Sequence, residues 1–290
     1  MRILFTIPHY YNASGGGAYG SLNADPKPRR GALASAVHAL HCTFGEEQGL
    51  MGKPIVPGNS SQAAAIEVVV CTLGEHHLVG QLGLPPGLIR HHATRAEPMF
   101  LGYECHAVLK AALGSHDYYC YLEDDLLLTD PLFFSKLEWF NRLAGDEAVL
   151  QPNRFEIAVG QPLHKLYIDG NLAQPEISER LQDVTDRRIV TGEALGAEVR
   201  FQRVNNPHSG CFFLNARQME RWAAQPDFLK REAVFAGPLE SAATLGITRH
   251  FRVYKPAREN AGFLEVRHLH NRYLGARLKA PVIARRQTTA

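Results

Sequence analysis

The sequence predicts an α/β fold, a mixed but mainly parallel sheet flanked by helices and continuous as a single domain over residues 1–290. Three observations predict it. Short, continuous apolar runs such as Ile3–Ile7 and Val68–Leu73 read as strands buried on both faces. Between them lie stretches with the apolar rhythm of a helix, the alternation expected of parallel βαβ units. A third apolar run, Tyr118–Leu122, passes directly into three adjacent carboxylates, Glu123, Asp124 and Asp125.

Taken in order, Arg2–Pro8 is the first strand, stopped by proline. A loop rich in Gly, Asn, Ser and Pro follows from Asn12 to about Gly31, with Gly15, Gly16 and Gly17 in a row and Lys27, Arg29 and Arg30 near its end. Ala32–Gln48 has helical rhythm, Ile66–Leu73 is the second strand and Leu88–Thr94 a weaker third. Phe100–Leu113 reads as a helix stopped by Gly114. The acidic strand spans Tyr118–Leu128, and Thr129 or Asp130 then caps a helix that starts at Pro131 and runs to about Leu143. In the second half, strands are expected at Ala148–Val159, Lys165–Ile168, Val199–Val204, Cys211–Leu214 and Ile247–Tyr254. Helices are expected at Ala216–Ala224 and Leu239–Leu245, before a segment Val266–Tyr273. There is no fixed-period repeat and no linker.

Composition narrows the function classes. With 45% hydrophobic and 21% charged residues the chain is a globular protein rather than a disordered one. Its 31 basic and 29 acidic residues leave a net charge of +2, too weak a field to argue for nucleic acid as a partner. The basic pairs Arg29–Arg30 and Arg285–Arg286 read as solvated. Five widely spaced cysteines, mostly in apolar patterns, read as buried free thiols. Met1–Pro8 is too short for a signal peptide, and no run approaches the ~18 apolar residues of a membrane span. The cytoplasm is the expected location, with peripheral membrane contact left open.

The acidic triplet carries the chemistry. Three neighbouring carboxylates in an apolar setting repel one another and are costly to desolvate, so a bound divalent cation is the economical explanation. Oxygen ligands suit Mg, Mn or Ca. Strand alternation would turn Glu123 and Asp125 to one side and Asp124 to the other.

This organisation resembles the nucleotide-sugar glycosyltransferases of the GT-A fold, in which an Asp-x-Asp motif or a variant holds a divalent ion on the donor diphosphate. Glu123-Asp124-Asp125 is similar to that motif, with Glu in its first position. The resemblance implies a nucleotide-binding half over 1–130, an acceptor-side half over 131–275 and a tail over 276–290. It implies a nucleotide-sugar donor, a hydroxyl-bearing acceptor such as a glycan, and Mn²⁺ or Mg²⁺. Asp125 would be the direct metal ligand and catalytic through it; Glu123 would assist at the metal or the donor ribose, and Asp124 would join the donor-binding set. Pro8, His9, Tyr10 and Tyr11 leave the first strand where the base of the nucleotide would sit, and Lys27, Arg29 or Arg30 from the glycine-rich loop, or Arg267 and Arg272 beside the C-terminal histidines, could reach the phosphates. His268 and His270 are two apart, so in an extended segment both face one side and either could complete the metal site. Helix Phe100–His106 would line the donor, and His208–Asn215 the acceptor.

Glu240, just after Gly237-Pro238 in the first turn of a helix, is the candidate general base if transfer inverts configuration, or an acceptor contact if it retains it. Asp169 and Glu193 read as solvated loop carboxylates. His208-Ser209 lacks the Gly-x-Ser-x-Gly setting of a hydrolase nucleophile, and the glycine run lacks phosphate-loop spacing. A sugar-nucleotide nucleotidyltransferase is the first rival, although its glycine-rich signature is absent after the first strand. A non-catalytic sugar- or metal-binding module is the second.

Overall fold

The computed structural model describes residues 1–15, 20–158, 163–172 and 175–277. Gly16 and Gly17 of the glycine run, Val159, and the tail from residue 278 with Arg285 and Arg286 lie outside the described residues.

Strand β1 (Arg2–His9) is buried from Ile3 onward. Helix α1 (Lys27–Phe44) starts at Lys27 rather than Ala32, because Pro28 fits the first turn, where its missing N–H costs nothing. Lys27, Arg29 and Arg30 are therefore helical, not in a loop. A small hairpin, β2 (Gly49–Leu50) with β3 (Val56–Pro57), leads to β4 (Ala65–Leu73), β5 (Arg90–Thr94) and α2 (Leu101–Ala111). Gly114 follows at φ 79°, the left-handed conformation expected of a helix stop.

The acidic strand is shorter than its apolar run. β6 (Tyr118–Leu122) ends before the carboxylates, the N–H of Leu126 donates to the carbonyl of Glu123 at 3.2 Å to close a turn, and β7 (Leu126–Leu127) joins a different sheet. Strand alternation does not apply to the triplet. Asp130 caps no helix directly: its Oδ1 accepts from the N–H of Leu132 at 2.9 Å, and α3 (Phe133–Ala144) begins two residues beyond Pro131.

Gln151-Pro152 splits the predicted Ala148–Val159 strand into β8 (Ala148–Leu150) and β9 (Asn153–Ile157), since proline has no N–H for a ladder. Then come β10 (Lys165–Tyr167) and a short α4 (Glu176–Glu179). An unforeseen strand β11 (Ile189–Ala194) is hairpinned to β12 (Ala197–Arg203) through Leu195 and Gly196, both at positive φ. β13 (Cys211–Asn215) passes through a capping box between Asn215 and Gln218 into α5 (Ala216–Ala223). α6 (Pro238–His250) absorbs Ile247–His250, read from the sequence as strand, and β14 starts only at Arg252 (Arg252–Pro256). A short apolar run does not distinguish a buried helix end from a strand. β15 (Glu265–His268) and α7 (Arg272–Arg277) complete the described chain.

The expected mixed, mainly parallel sheet runs in the order β13-β6-β1-β4-β5, with β6, β1, β4 and β5 mutually parallel and β13 antiparallel. Its two faces are buried separately. Ile3, Phe5 and Ile7 of β1 pack with Leu33, Val37 and Phe134 from α1 and α3, whereas Leu4 packs with Val108 of α2, Trp222 of α5 and Ile247 of α6. Helices on both faces leave the carboxyl ends of the parallel strands as the open edge, where α/β sheets place ligands.

Two further four-stranded sheets, β10-β9-β15-β7 and β11-β12-β14-β8, build the second half. The first fixes the site. β7 pairs antiparallel with β15 in a register that sets His268 opposite Leu126, and the N–H of Leu269 donates to the carbonyl of Asp125 at 3.0 Å. The acidic turn and the C-terminal segment are thereby locked together. Among the described residues no helix is long and apolar enough to cross a membrane.

Candidate functional site

The three acids stand on the turn at the carboxyl end of β6, and each points to a different partner. Asp124 is 1% exposed. Its Oδ2 lies 2.5 Å from Nδ1 of His9 and its Oδ1 lies 2.6 Å from Nη2 of Arg29. His9 is fully buried at the end of β1, and its Nε2 accepts the N–H of Leu78 at 3.1 Å, so Nδ1 is the nitrogen that donates to Asp124. Burial works against the charge of Arg29, but Asp124, Asp125 and Glu123 outweigh it and raise the guanidinium above its ordinary value.

Asp125 meets the C-terminal segment. Its Oδ2 is 3.5 Å from Nη1 of Arg29 and 3.8 Å from Nε2 of His268, while its Oδ1 is buried with no hydrogen-bond partner. A gap of 3.8 Å is too long for a hydrogen bond. Nδ1 of His268 is held 2.9 Å from Oε1 of Glu156, which is fully buried in β9.

Glu123 faces the interior of the second half. Arg154 Nη1 lies 4.0 Å away, and Oε1 of Glu123 is buried without a partner. Burial pushes this carboxyl up to about 8; Arg154 draws it down, and Asp125, Glu240 and Asp124 push it further up. Arg154 is itself anchored 2.8 Å from Asp169, which also takes Lys255 at 2.9 Å. Asp169 is therefore no solvated loop residue, as its sequence position suggested. It is buried, and although desolvation opposes its charge, Arg154 and Lys255 hold it well below the usual carboxylate range. Glu193 is exposed, but on β11 rather than in a loop.

The other expected site residues are dispersed around this cluster. Pro8 is buried within β1. Tyr10 is half-buried with its ring 5.6 Å from that of His76, and Tyr11 donates from its hydroxyl to the carbonyl of Asn23 at 2.8 Å. Arg29, not Arg30, is the α1 arginine that reaches the acids. His270 does not share a face with His268: β15 ends at His268, and His270 and Asn271 adopt φ of 76° and 49°, so the chain turns and leaves His270 exposed. Glu240 is half-buried in the first turn of α6, near enough to Glu123 to raise its pKa. Of the five cysteines, Cys42 is exposed and the other four are buried free thiols.

Arg154, Glu156 and Lys255 escaped the sequence reading as site residues. Arg154 and Glu156 carried a readable signal, since two charged residues spaced by two in a strand share one face, and both prove buried.

Among the described residues, no group of three or more His, Cys, Asp or Glu is arranged to hold a metal unaided. The donor chemistry nevertheless fits a hard dication. Asp125 offers an unpartnered oxygen, His268 offers a ring nitrogen whose counterpart is fixed by a carboxylate, and such ions are commonly held by one or two protein groups plus phosphate oxygens and water. With Glu123 largely neutral near pH 7, Asp124, Asp125, Glu156 and Asp169 still outnumber the cations Arg29, Arg154 and Lys255 paired with this cluster among the described residues, so a negative charge remains in excess.

No family model and no curated protein matches the chain. Among solved structures, it is similar to GalNAc-T7 crystallised with UDP, GalNAc and Mn²⁺, at 11% identity and a TM-score of 0.47, covering 92% of this chain and 43% of that one. It is also similar to mouse xyloside xylosyltransferase 1 in its apo form, at 11% identity and a TM-score of 0.40, covering 86% of this chain and 82% of that one. The chain thus spans less than half the length of the GalNAc-T7 chain.

Proposed function

We propose that this chain is a metal-dependent glycosyltransferase that moves a sugar from a nucleotide-sugar donor to a hydroxyl-bearing acceptor such as a glycan. The observation that carries the reading is the pair Asp125 and His268. A carboxylate and an imidazole nitrogen face one another across 3.8 Å at the carboxyl edge of a parallel sheet, with Asp125 Oδ1 unpartnered.

In this reading Asp125 and His268 hold Mn²⁺ or Mg²⁺, which when bound neutralises the diphosphate leaving group as a Lewis acid. Arg29 keeps Asp124 and Asp125 in place and brings a fixed positive charge to the same turn. Glu123, with its free Oε1, contacts the donor, and Arg154 behind it sets its position. Tyr10 and Tyr11, past the end of β1, flank the nucleotide. Glu240 takes the proton of the acceptor hydroxyl if the reaction inverts configuration, aided by its place in the first turn of α6.

The test is to incubate the protein with nucleotide-sugars with and without Mn²⁺ and to follow nucleoside diphosphate release and sugar transfer to glycan acceptors. Mn²⁺-dependent release that disappears in Asp125→Ala supports the reading. A donor left intact throughout points to a binding module. Pyrophosphate formation from a sugar phosphate and a nucleoside triphosphate points to a nucleotidyltransferase.

A further inference from the structure

Glu156 bridges the imidazole of His268 and the first turn of α7, which begins four residues later and already sets the ring of Tyr273 5.8 Å from that of His268. Its strand β9 lies beside β15, and its carboxylate is fully removed from solvent. Oε1 accepts from Nδ1 of His268 at 2.9 Å and from the N–H of Tyr273 at 3.2 Å, and Oε2 accepts from the N–H of Leu274 at 2.6 Å. The last two are first-turn amides of α7, groups that have no partner within their own helix.

The proton inventory follows from these contacts. Both oxygens of Glu156 already accept backbone N–H groups, so His268 Nδ1 is a donor to it. In the neutral ring that leaves the lone pair on Nε2, the nitrogen that faces Asp125 Oδ2. The carboxylate thus fixes both the tautomer and the tilt of the imidazole, and it can do so only while its own position is fixed. The two α7 amides supply that constraint. Without them a buried carboxylate would lose two of its three hydrogen bonds and turn to seek others.

We infer that Glu156 is a positioning residue that couples the seating of α7 to the readiness of His268 to ligate a divalent cation. The coupling runs both ways, as linkage between two equilibria requires. Cation binding at His268 steadies the first turn of α7, and loosening α7 weakens cation binding even though α7 contributes no ligand. The inference rests on the metal-site reading above, but it concerns Mn²⁺ alone and needs no donor, acceptor or turnover.

The experiment uses the full chain and Mn²⁺ as the probe. In the metal-free wild-type protein, ¹⁵N NMR of His268 should report the Nδ1-protonated ring; an Nε2-protonated ring overturns the inference. Hydrogen exchange at the Tyr273 and Leu274 amides should slow when Mn²⁺ is added to the wild type and stay unchanged in His268→Ala. Equal exchange with and without Mn²⁺ in the wild type overturns it. Glu156→Gln, which offers an amide N–H₂ where Nδ1 needs an acceptor, should raise the Mn²⁺ dissociation constant by about 10–100-fold and add nothing in a His268→Ala background. Independent, multiplying losses would mean that Glu156 does not act through His268. Should Glu156→Gln fail to fold, the wild-type NMR and exchange measurements still decide. A chain that shows this coupling yet transfers no sugar leaves the inference intact and removes only the proposed activity; one that transfers sugar without the coupling does the reverse.

Discussion

The guanidinium of Arg29 lies 2.6 Å from the carboxylate of Asp124, so helix α1 and the turn after β6 are joined by an ion pair with only 11% and 1% of the two side chains exposed. His9 closes on the same carboxylate from the end of β1. The interior of the acidic turn is thus already neutralised at Asp124, and Asp125 is left with an unpartnered oxygen.

Arg29→Ala would leave the buried carboxylate of Asp124 with His9 as its only close partner and take the nearest permanent cation from Asp125. Loss of one partner of a buried pair costs about 3–5 kcal/mol, so urea unfolding should show a loss of that order. A loss under about 1 kcal/mol, the scale of a surface pair, would mean that the guanidinium is solvated.

Asp125→Ala should abolish Mn²⁺-dependent binding of a nucleoside diphosphate while leaving the circular dichroism spectrum unchanged. His268→Ala should weaken Mn²⁺ binding by roughly 10-fold or more, and His270→Ala should leave it unaltered, because His270 lies beyond the end of β15 and is exposed. Calorimetric titration with Mn²⁺ separates the two histidines. Equal losses in both would contradict the geometry.

Glu240→Gln should lower the rate of sugar transfer by at least ~100-fold if Glu240 is the general base, with donor affinity little changed. A near-normal turnover would leave it an acceptor contact or a helix-terminal charge.

Gly210→Ala tests the packing behind Glu123. Gly210 adopts φ 64°, and a Cβ there would stand 2.8 Å from Oε2 of Glu123. The strained backbone should cost about 1–3 kcal/mol, and the displaced Glu123 should reduce donor turnover as well. Gly196→Ala is the control: at φ 75° it carries similar strain with nothing within 4 Å of the added carbon. Stability should fall in both variants and activity only in Gly210→Ala.

His106→Phe should change the response to acid. His106 is buried among Tyr103, Tyr121, Phe212 and Trp222, and burial lowers its pKa to about 3. The unfolded chain takes up a proton at this side chain below its ordinary value near 6.5, whereas the folded chain does not until about 3. Its contribution to stability is therefore complete above pH 6.5 and is lost as pH falls toward 3, with a slope approaching about 1.4 kcal/mol per pH unit. In denaturant titrations between pH 6.5 and 4, His106→Phe should lose less stability than the wild type. Parallel curves would mean that His106 protonates while folded.

Most strands and helices were legible in the sequence because each is coded locally. The apolar runs of β1, β4 and β6 need burial on both faces, Gly114 needs left-handed backbone, and Asn215 with Gln218 forms a cap from residues three apart. The misreadings arose where local codes are ambiguous or lose to packing. Pro28 reads as a breaker or as a first-turn residue, and Ile247 suits a strand as well as the end of α6. The strand character of Tyr118–Leu128 hides the turn that moves β7 into another sheet.

By itself the sequence determined that this is an α/β chain with an acidic triplet where an apolar strand stops, since hydrophobic periodicity and clustered charge are properties of neighbours along the chain. Only the tertiary structure decided which cations meet those acids. Arg29 rather than Arg30, and His268 rather than His270, follow from helix phase, sheet register and a change of backbone hand at residue 270. The pairing of His268 with Glu156 joins residues 112 positions apart. Such partners are chosen by the register between strands, which depends on packing contributed by the whole chain; the charges spaced by two in β9 mark a shared face but not what that face meets.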